Sequence, residues 1–162
     1  MPEHSRIGFR VRKMGLYFVK GTFKAVNGSV EIGPDGLPTA GSLRIDASTV
    51  STRIPPRDWH LRTSDFLAVG DHPEIRVGVE SAERASEELL TVSAVVTIRG
   101  VEARIPLVAH SHASEGRGNR GRALHVSGTL DRHRFGIRPR RPVEWIVGRE
   151  VRLDALVHLE PA

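Results

Sequence analysis

The chain has 162 residues, enough for one domain with a hydrophobic core and too few for two, so a single domain spanning residues 1–162 is predicted. It contains no cysteine, which excludes disulfides and thiolate metal sites, and its net charge of +5 comes almost entirely from arginine. No apolar run approaches the roughly 18 residues that a membrane-spanning helix needs.

The first residues, 1–6, do not form a basic segment followed by an apolar one. That order is typical of a secretory signal peptide. We therefore expect no signal peptide here, and a cytoplasmic protein.

Alternation of apolar and polar residues dominates the chain, and this pattern predicts β-strands. In the first example, Ile7, Phe9 and Val11 alternate with Gly8 and arginines. The pattern occurs in eight segments: 6–12, 21–32, 42–48, 74–80, 90–98, 101–109, 124–130 and 151–160. Four turn signals accompany them: Asn27-Gly28, residues 33–36, Arg99-Gly100 and the glycine-rich residues 115–121.

Each of these segments has one apolar and one polar face, as in an antiparallel sheet that is solvated on one side. Eight such strands can close into a barrel, which removes the exposed sheet edges that promote aggregation. A sandwich of two sheets would show the same pattern. The alternation predicts an all-β protein but does not distinguish the two architectures.

One short helical segment is predicted near residues 57–69, because a Pro-Pro pair precedes it and a glycine follows it. Charged residues with fixed bonding geometry lie there among large apolar ones. This mixture predicts a plug in the mouth of a hollow fold. Trp59, Leu61 and Phe66 would sit in the cavity, and the polar residues would bond to one another around its rim or to the head of a ligand.

The second unusual segment is rich in arginine. Between Glu115 and Pro142, eight arginines stand against two acidic residues, which exceeds the charge surplus of the whole chain. Such a segment can attract phosphates or an anionic membrane surface. It can equally be a set of solvated loops.

Two further patterns are weak. His110 and His112 would share one face of a strand, but no third or fourth ligand follows at a suggestive spacing, so no metal site is predicted. The glycines of residues 116–121 have the spacing of a dinucleotide-binding loop but no helix after them, so no nucleotide cofactor is predicted.

Taken in order, the motifs of this chain resemble those of the YceI-like family, bacterial lipocalin-like proteins that bind polyisoprenoid lipids. The resemblance runs almost from end to end. The matching residues are His4-Ser5, Lys13-Met14, Val19 with Gly21 and Phe23, residues 48–52, residues 57–66, residues 73–75, residues 96–101, Asp131-Arg132 with residues 135–137, and Val147-Gly148 with Val151. One departure is that Val77 and Val79 stand on a strand where family members usually carry phenylalanines.

The resemblance implies an antiparallel eight-stranded barrel of lipocalin type that binds a hydrophobic molecule, isoprenoid-like or fatty, in its interior. It implies no catalysis and no cofactor, and it adds the expectation of a homodimer because homodimers occur in the family. No nucleic acid is expected as a partner, and contact with a membrane would be transient. Asp131, Arg132 and His133 are expected to be mainly structural.

The predicted ligand-binding residues are inward-facing apolar residues and the polar residues of the plug. They are Phe9, Val11, Phe23, Leu43, Ile45, Arg57, Asp58, Trp59, His60, Leu61, Arg62, Phe66, Ile75, Val77, Val92 and Ala94.

Three alternatives stay open. The apolar faces could fill a solid barrel core. The arginines of residues 117–141 could bind nucleic acid or another polyanion. The barrel could carry an enzyme of unknown class, because a fold does not fix a function.

Overall fold

The computed structural model describes residues 6–13, 17–35, 37–113, 122–139 and 147–159. The elements follow the predicted alternation closely. The strands are β1 (Arg6–Lys13), β2 (Tyr17–Ile32), β3 (Pro38–Ser51), β4 (Glu74–Arg84), β5 (Leu89–Ile98), β6 (Val101–Ala113), β7 (Arg122–Asp131) and β8 (Val147–Leu159). Helix α1 (Pro55–Arg62) lies between β3 and β4, and a 3₁₀ helix (Arg132–Phe135) follows β7.

The eight strands form one closed antiparallel barrel, in which each strand pairs with its neighbours in sequence. Closure is carried by β1, whose Phe9 lies opposite Gly21 of β2 on one side and Leu153 of β8 on the other. Both edges of the sheet are thereby paired. The barrel prediction is confirmed, and the two-sheet sandwich is excluded.

The turn signals had different outcomes. Arg99 and Gly100 both have positive φ, of 55° and 73°, as the two central residues of a tight β5–β6 hairpin require. Asn27-Gly28, in contrast, is not a turn: it lies inside β2, just after a shift in register against β3. Gly28 is needed there because a Cβ atom would come within 2.9 Å of the Leu43 side chain and 3.1 Å of the Ser42 carbonyl. The glycine-rich residues 115–121 lie outside the described residues.

Helix α1 is shorter than predicted and begins earlier. Its first residues are the two prolines, which the first turn of a helix tolerates because those N–H groups have no partner in the helix. It ends at Arg62 because Thr63 is extended and its Oγ1 donates to the His60 carbonyl over 2.6 Å. The rest of the predicted segment, residues 63–69, is not helical and consists mainly of turns.

Helix α1 and the 3₁₀ helix lie at the same end of the barrel, called here the α1 end. The β3–β4, β5–β6 and β7–β8 connections all meet there. Phe135 is fully buried at this end, and Leu67 and Ile137 are buried with it in the main core cluster. Among the described residues, no helix is both long and apolar enough to cross a membrane.

Candidate functional site

A cavity of about 730 Å³ lies inside the barrel. Residues from all eight strands and from α1 line it, and most of these side chains are aliphatic or aromatic. Ligand pockets of proteins have this size and this largely apolar character. The inward faces of the strands therefore enclose a space and do not meet along the barrel axis.

Twelve of the sixteen predicted ligand-binding residues line the cavity. They are Phe9, Val11, Phe23, Leu43, Ile45, Arg57, His60, Leu61, Phe66, Ile75, Val77 and Val92. The structure brings them together from five strands and the α1 segment. Their contact with a ligand stays a prediction.

The other four do not line the cavity. Trp59 was expected in it but is 68% exposed to solvent. The reason is helical geometry: Arg57, His60 and Leu61 face inward from α1, and a residue at position 59 points away from that face. Ala94 has the inward position expected from alternation, but it is fully buried and does not contribute to the cavity wall.

Asp58 and Arg62, the remaining two, fasten α1 to β3. The buried Asp58 carboxylate accepts a hydrogen bond from the Thr52 amide over 2.7 Å and another from the Thr52 hydroxyl. Arg62 Nε donates to the Ser48 carbonyl over 3.0 Å. A buried carboxylate with two donors is a firm anchor, so these residues hold the helix over the cavity and do not enter it.

Arg57 and His60 are the polar groups of α1 that face the cavity. Arg57 Nε donates to Thr52 Oγ1 over 2.8 Å, and Nη2 donates to the Thr52 carbonyl over 3.3 Å. His60 Nε2 lies 2.8 Å from Asp65 Oδ2, and its ring packs edge-on against Phe66 with centroids 5.1 Å apart.

Gly21 makes room for the Phe9 side chain, which lines the cavity. A Cβ atom at this position would overlap the Phe9 ring and lie 3.0 Å from the Ser51 carbonyl. With glycine there, the Phe9 ring lies across β2 and packs at 5.4 Å from the Phe23 ring. This packing gives a physical reason for the glycine in the Val-x-Gly-x-Phe motif.

Sequence reasoning missed part of the cavity wall. Val50 lines it together with Ile45 of the same strand, and Val30 lines it together with Phe23. Strict alternation would put the two residues of each pair on opposite faces of the sheet. Register shifts between Thr22 and Lys24 and between Ala25 and Asn27 reverse the inward face along β2 and β3. No residue pattern in either strand marks these bulges except the glycine after Asn27.

Arg132 also lines the cavity and was not among the predicted ligand-binding residues. Its side chain is only 3% exposed. The guanidinium donates to the carbonyls of Ile137, Val147 and Gly148 over 2.7, 2.9 and 2.9 Å. These bonds tie the two ends of the β7–β8 connection together, as a structural arginine would.

Next to Arg132, Asp131 forms an ion pair with Arg149 that shifts the pKa of the Asp131 carboxyl. Arg149 Nε donates to Asp131 Oδ2 over 2.7 Å, and this bond holds the pKa of the Asp131 carboxyl below its usual range. The His133 amide, 2.9 Å from Oδ1, acts in the same direction. A carboxyl whose pKa is lower in the folded state stabilises the fold above its unfolded pKa, and this stability is lost as the pH falls through the folded value.

Arg149→Met is therefore expected to lower the free energy of unfolding at neutral pH. In acid, the variant and the wild type should become equally stable with respect to this ion pair. The stability difference between the variant and the wild type should narrow below about pH 4, where the Asp131 carboxyl becomes protonated in the unfolded chain. Urea denaturation at a series of pH values measures it. Arg152→Met, which removes a looser pair with Glu150 at 3.6 Å, is the control, and a difference for Arg149→Met that does not change with pH would contradict the role of Asp131.

The arginine-rich segment does not present all its charges to solvent. Arg132 is buried on backbone carbonyls, whereas Arg134 and Arg138 are exposed. Arginines 117, 120, 140 and 141 lie outside the described residues. In the part that the structure describes, the segment therefore offers fewer free cations to a polyanion than its composition suggests.

Groups suited to metal binding were also sought. In the described part of the chain, no three His, Asp or Glu side chains are placed to hold a metal ion. His110 is exposed on β6, and the structure does not describe the side chain of His112.

Known proteins share this architecture. The chain is similar to BcnA of Burkholderia cenocepacia, with a TM-score of 0.84, 14% identity and coverage of 96% of both chains. It is also similar to the YCEI protein of Campylobacter jejuni, with a TM-score of 0.79, 21% identity and coverage of 89% of this chain and 85% of the other. A polyisoprenoid-binding domain from Saccharophagus degradans aligns with a TM-score of 0.68 and 15% identity over 99% of this chain and 96% of its own.

Sequence comparisons agree with the structural ones. A UPF0312 protein of Pseudomonas savastanoi pv. phaseolicola is 24% identical over 159 residues, which cover 95% of this chain and 82% of the relative. Protein YceI of Escherichia coli O157:H7 is 28% identical over 109 residues, covering 66% of this chain and 56% of the relative. The family model of the YceI-like domain matches residues 1–159. The chain belongs to the YceI-like family.

Proposed function

We propose that this protein binds one hydrophobic chain molecule, isoprenoid-like or fatty, in the barrel cavity and carries or stores it without chemical change. The observation that carries the proposal is the cavity of about 730 Å³ with its largely apolar wall. The similarity of the fold to a domain described as polyisoprenoid-binding supports the same class of ligand.

The size of the cavity sets the size of the guest. A methylene-sized group needs roughly the volume of a water molecule in the liquid, about 30 Å³. A cavity of about 730 Å³ therefore holds about 20 carbon atoms, because a ligand does not fill such a volume completely. Each buried carbon contributes about 0.8 kcal/mol, so even ten of them give about 8 kcal/mol before the costs of immobilising the ligand.

The polar end of the ligand would lie at the α1 end of the cavity. Arg57 and His60 face the lumen there, and the Nη1 group of Arg57 makes no hydrogen bond within the described part of the chain. A hydroxyl, carboxylate or phosphate head could accept from it. Most of the remaining wall is apolar and suits a hydrocarbon tail.

A series of prenyl alcohols tests the proposal. Affinity is expected to rise about fourfold per added carbon, because each buried carbon contributes about 0.8 kcal/mol. It should level off at about 20 carbons, when the cavity is full. Geraniol, farnesol and geranylgeraniol sample the rise, and a polyprenol of about 40 carbons samples the plateau. Native mass spectrometry of the delipidated protein gives the stoichiometry and the relative affinities.

Straight-chain alcohols of matched length are the control for shape, because they bury similar apolar area without methyl branches. A single bound molecule per chain is expected in each case. Affinity that does not depend on chain length, or several molecules bound per chain, would mean that these compounds adhere to the outside of the barrel, and the proposal would fail.

A further inference from the structure

The outward face of α1 carries large apolar side chains that nothing in the described chain covers. Trp59 is 68% exposed, and Ile54, the residue that caps the helix, is 46% exposed. Among the described residues, the other exposed large apolar side chains are Val101, at 38%, and Leu156, at 46%. Pro55, one helical turn before Trp59, is also exposed and extends the same face.

The charged side chains of α1 and its flanking residue Arg53 that face solvent are positive. Residues 53–62 contain three arginines, at positions 53, 57 and 62, and a single acidic residue, Asp58. Asp58 is buried and bonded to Thr52, so its charge is turned away from solvent. Arg53 and Arg62, which precede and follow Trp59 in the sequence, are both exposed.

A tryptophan beside cations fits one environment in particular. The indole ring is favoured at the boundary of a bilayer, where its body meets hydrocarbon and its N–H meets water and head groups. Arginines next to an anionic leaflet are attracted to lipid phosphates. We propose that the outward face of α1, formed by Ile54, Pro55 and Trp59 with Arg53 and Arg62, docks on the surface of a bilayer that contains anionic phospholipid.

The inward face of the same helix explains what such docking would do. Arg57, His60 and Leu61 line the cavity from α1, so a single helix separates the docked surface from the lumen. The other exposed acidic residues at this end, Asp71, Glu102 and Glu150, lie on the α1–β4 connection and near the starts of β6 and β8, and not on α1 itself. Docking goes beyond occupancy of the cavity, and it can be tested on protein without any cavity ligand.

The test is co-sedimentation of the delipidated protein with vesicles of phosphatidylcholine alone or with phosphatidylglycerol added. The protein is expected to bind the mixed vesicles, and this binding should weaken as salt is raised. Because the chain has a second tryptophan, Trp145, the shift of fluorescence to shorter wavelength should appear in the wild type and be lost in Trp59→Ala. Trp59→Ala should lower the partition coefficient by about tenfold, the low end for burying a large apolar side chain. Arg53→Gln should lower it by about fivefold, the contribution of one arginine near an anionic surface.

Leu156→Ala is the matched control. Leu156 is 46% exposed on the outer face of β8, away from α1, so its loss should leave vesicle binding unchanged. Equal binding by Trp59→Ala and the wild type, or no preference for phosphatidylglycerol, overturns the proposal. So does self-association that Trp59→Ala abolishes when vesicles are not bound, because α1 would then dock on a second copy of the chain. None of these results affects the prenyl alcohol titration, which reports on the cavity alone.

Discussion

Replacing Arg132 with alanine is expected to lower the free energy of unfolding by about 4 kcal/mol. The guanidinium is buried and donates to the carbonyls of Ile137, Val147 and Gly148. Hydrogen bonds from a charged group contribute about 1.5–3 kcal/mol each, and buried carbonyls left without donors add a desolvation cost. Urea denaturation followed by circular dichroism measures the loss, which a domain of ordinary stability can survive in the folded state.

Arg134→Ala is the control for this prediction, because Arg134 belongs to the same 3₁₀ helix but is exposed and makes one long bond, of 3.3 Å, to the Arg104 carbonyl. Its effect should stay within about 0.5 kcal/mol. Arg132→Lys should recover part of the stability, since an ammonium group keeps the charge but cannot span three carbonyls. A loss below about 1 kcal/mol for Arg132→Ala would show that water satisfies these carbonyls and that the arginine does not hold the connection together.

The barrel itself could be predicted because its strands alternate with a period of two over long stretches. On β5, Leu90, Val92, Val96 and Ile98 line the cavity as alternation requires. The prediction fails where the backbone adds a residue. At the register shift between Ala25 and Asn27 the inward face of β2 changes parity, and a bulge of this kind depends on the partner strand as much as on the local sequence.

Helix α1 shows the opposite problem. Its composition correctly indicated a segment that closes on a cavity, but apolar character alone placed Trp59 inside. In the structure, the bonds of Asp58 to Thr52 and of Arg62 to Ser48 fix the rotation of the helix about its axis. That rotation turns Trp59 outward, and it could not be deduced before the partners on β3 were known.

A larger side chain inside the cavity should weaken ligand binding more than a change elsewhere on the barrel. Val92→Phe is expected to lower the affinity for geranylgeraniol by about 100-fold. Val92 lines the lumen from β5, opposite Leu107 of β6. A phenylalanine adds four carbon atoms there and displaces about as many ligand carbons, at about 0.8 kcal/mol each, or about 3 kcal/mol in all. The fold should tolerate the ring because it enters existing space.

Val95→Phe makes the same substitution on the opposite face of the same strand. Val95 lies outside the cavity wall, between Gly78 of β4 and Arg104 of β6, where a ring has room over the glycine. Its affinity should stay within about twofold of the wild type, as for surface substitutions in general. Since both variants add the same apolar surface to β5, only the side of the sheet differs between them. Titration of both with geranylgeraniol therefore decides where the ligand lies: equal weakening, or none in either, would place it outside the barrel.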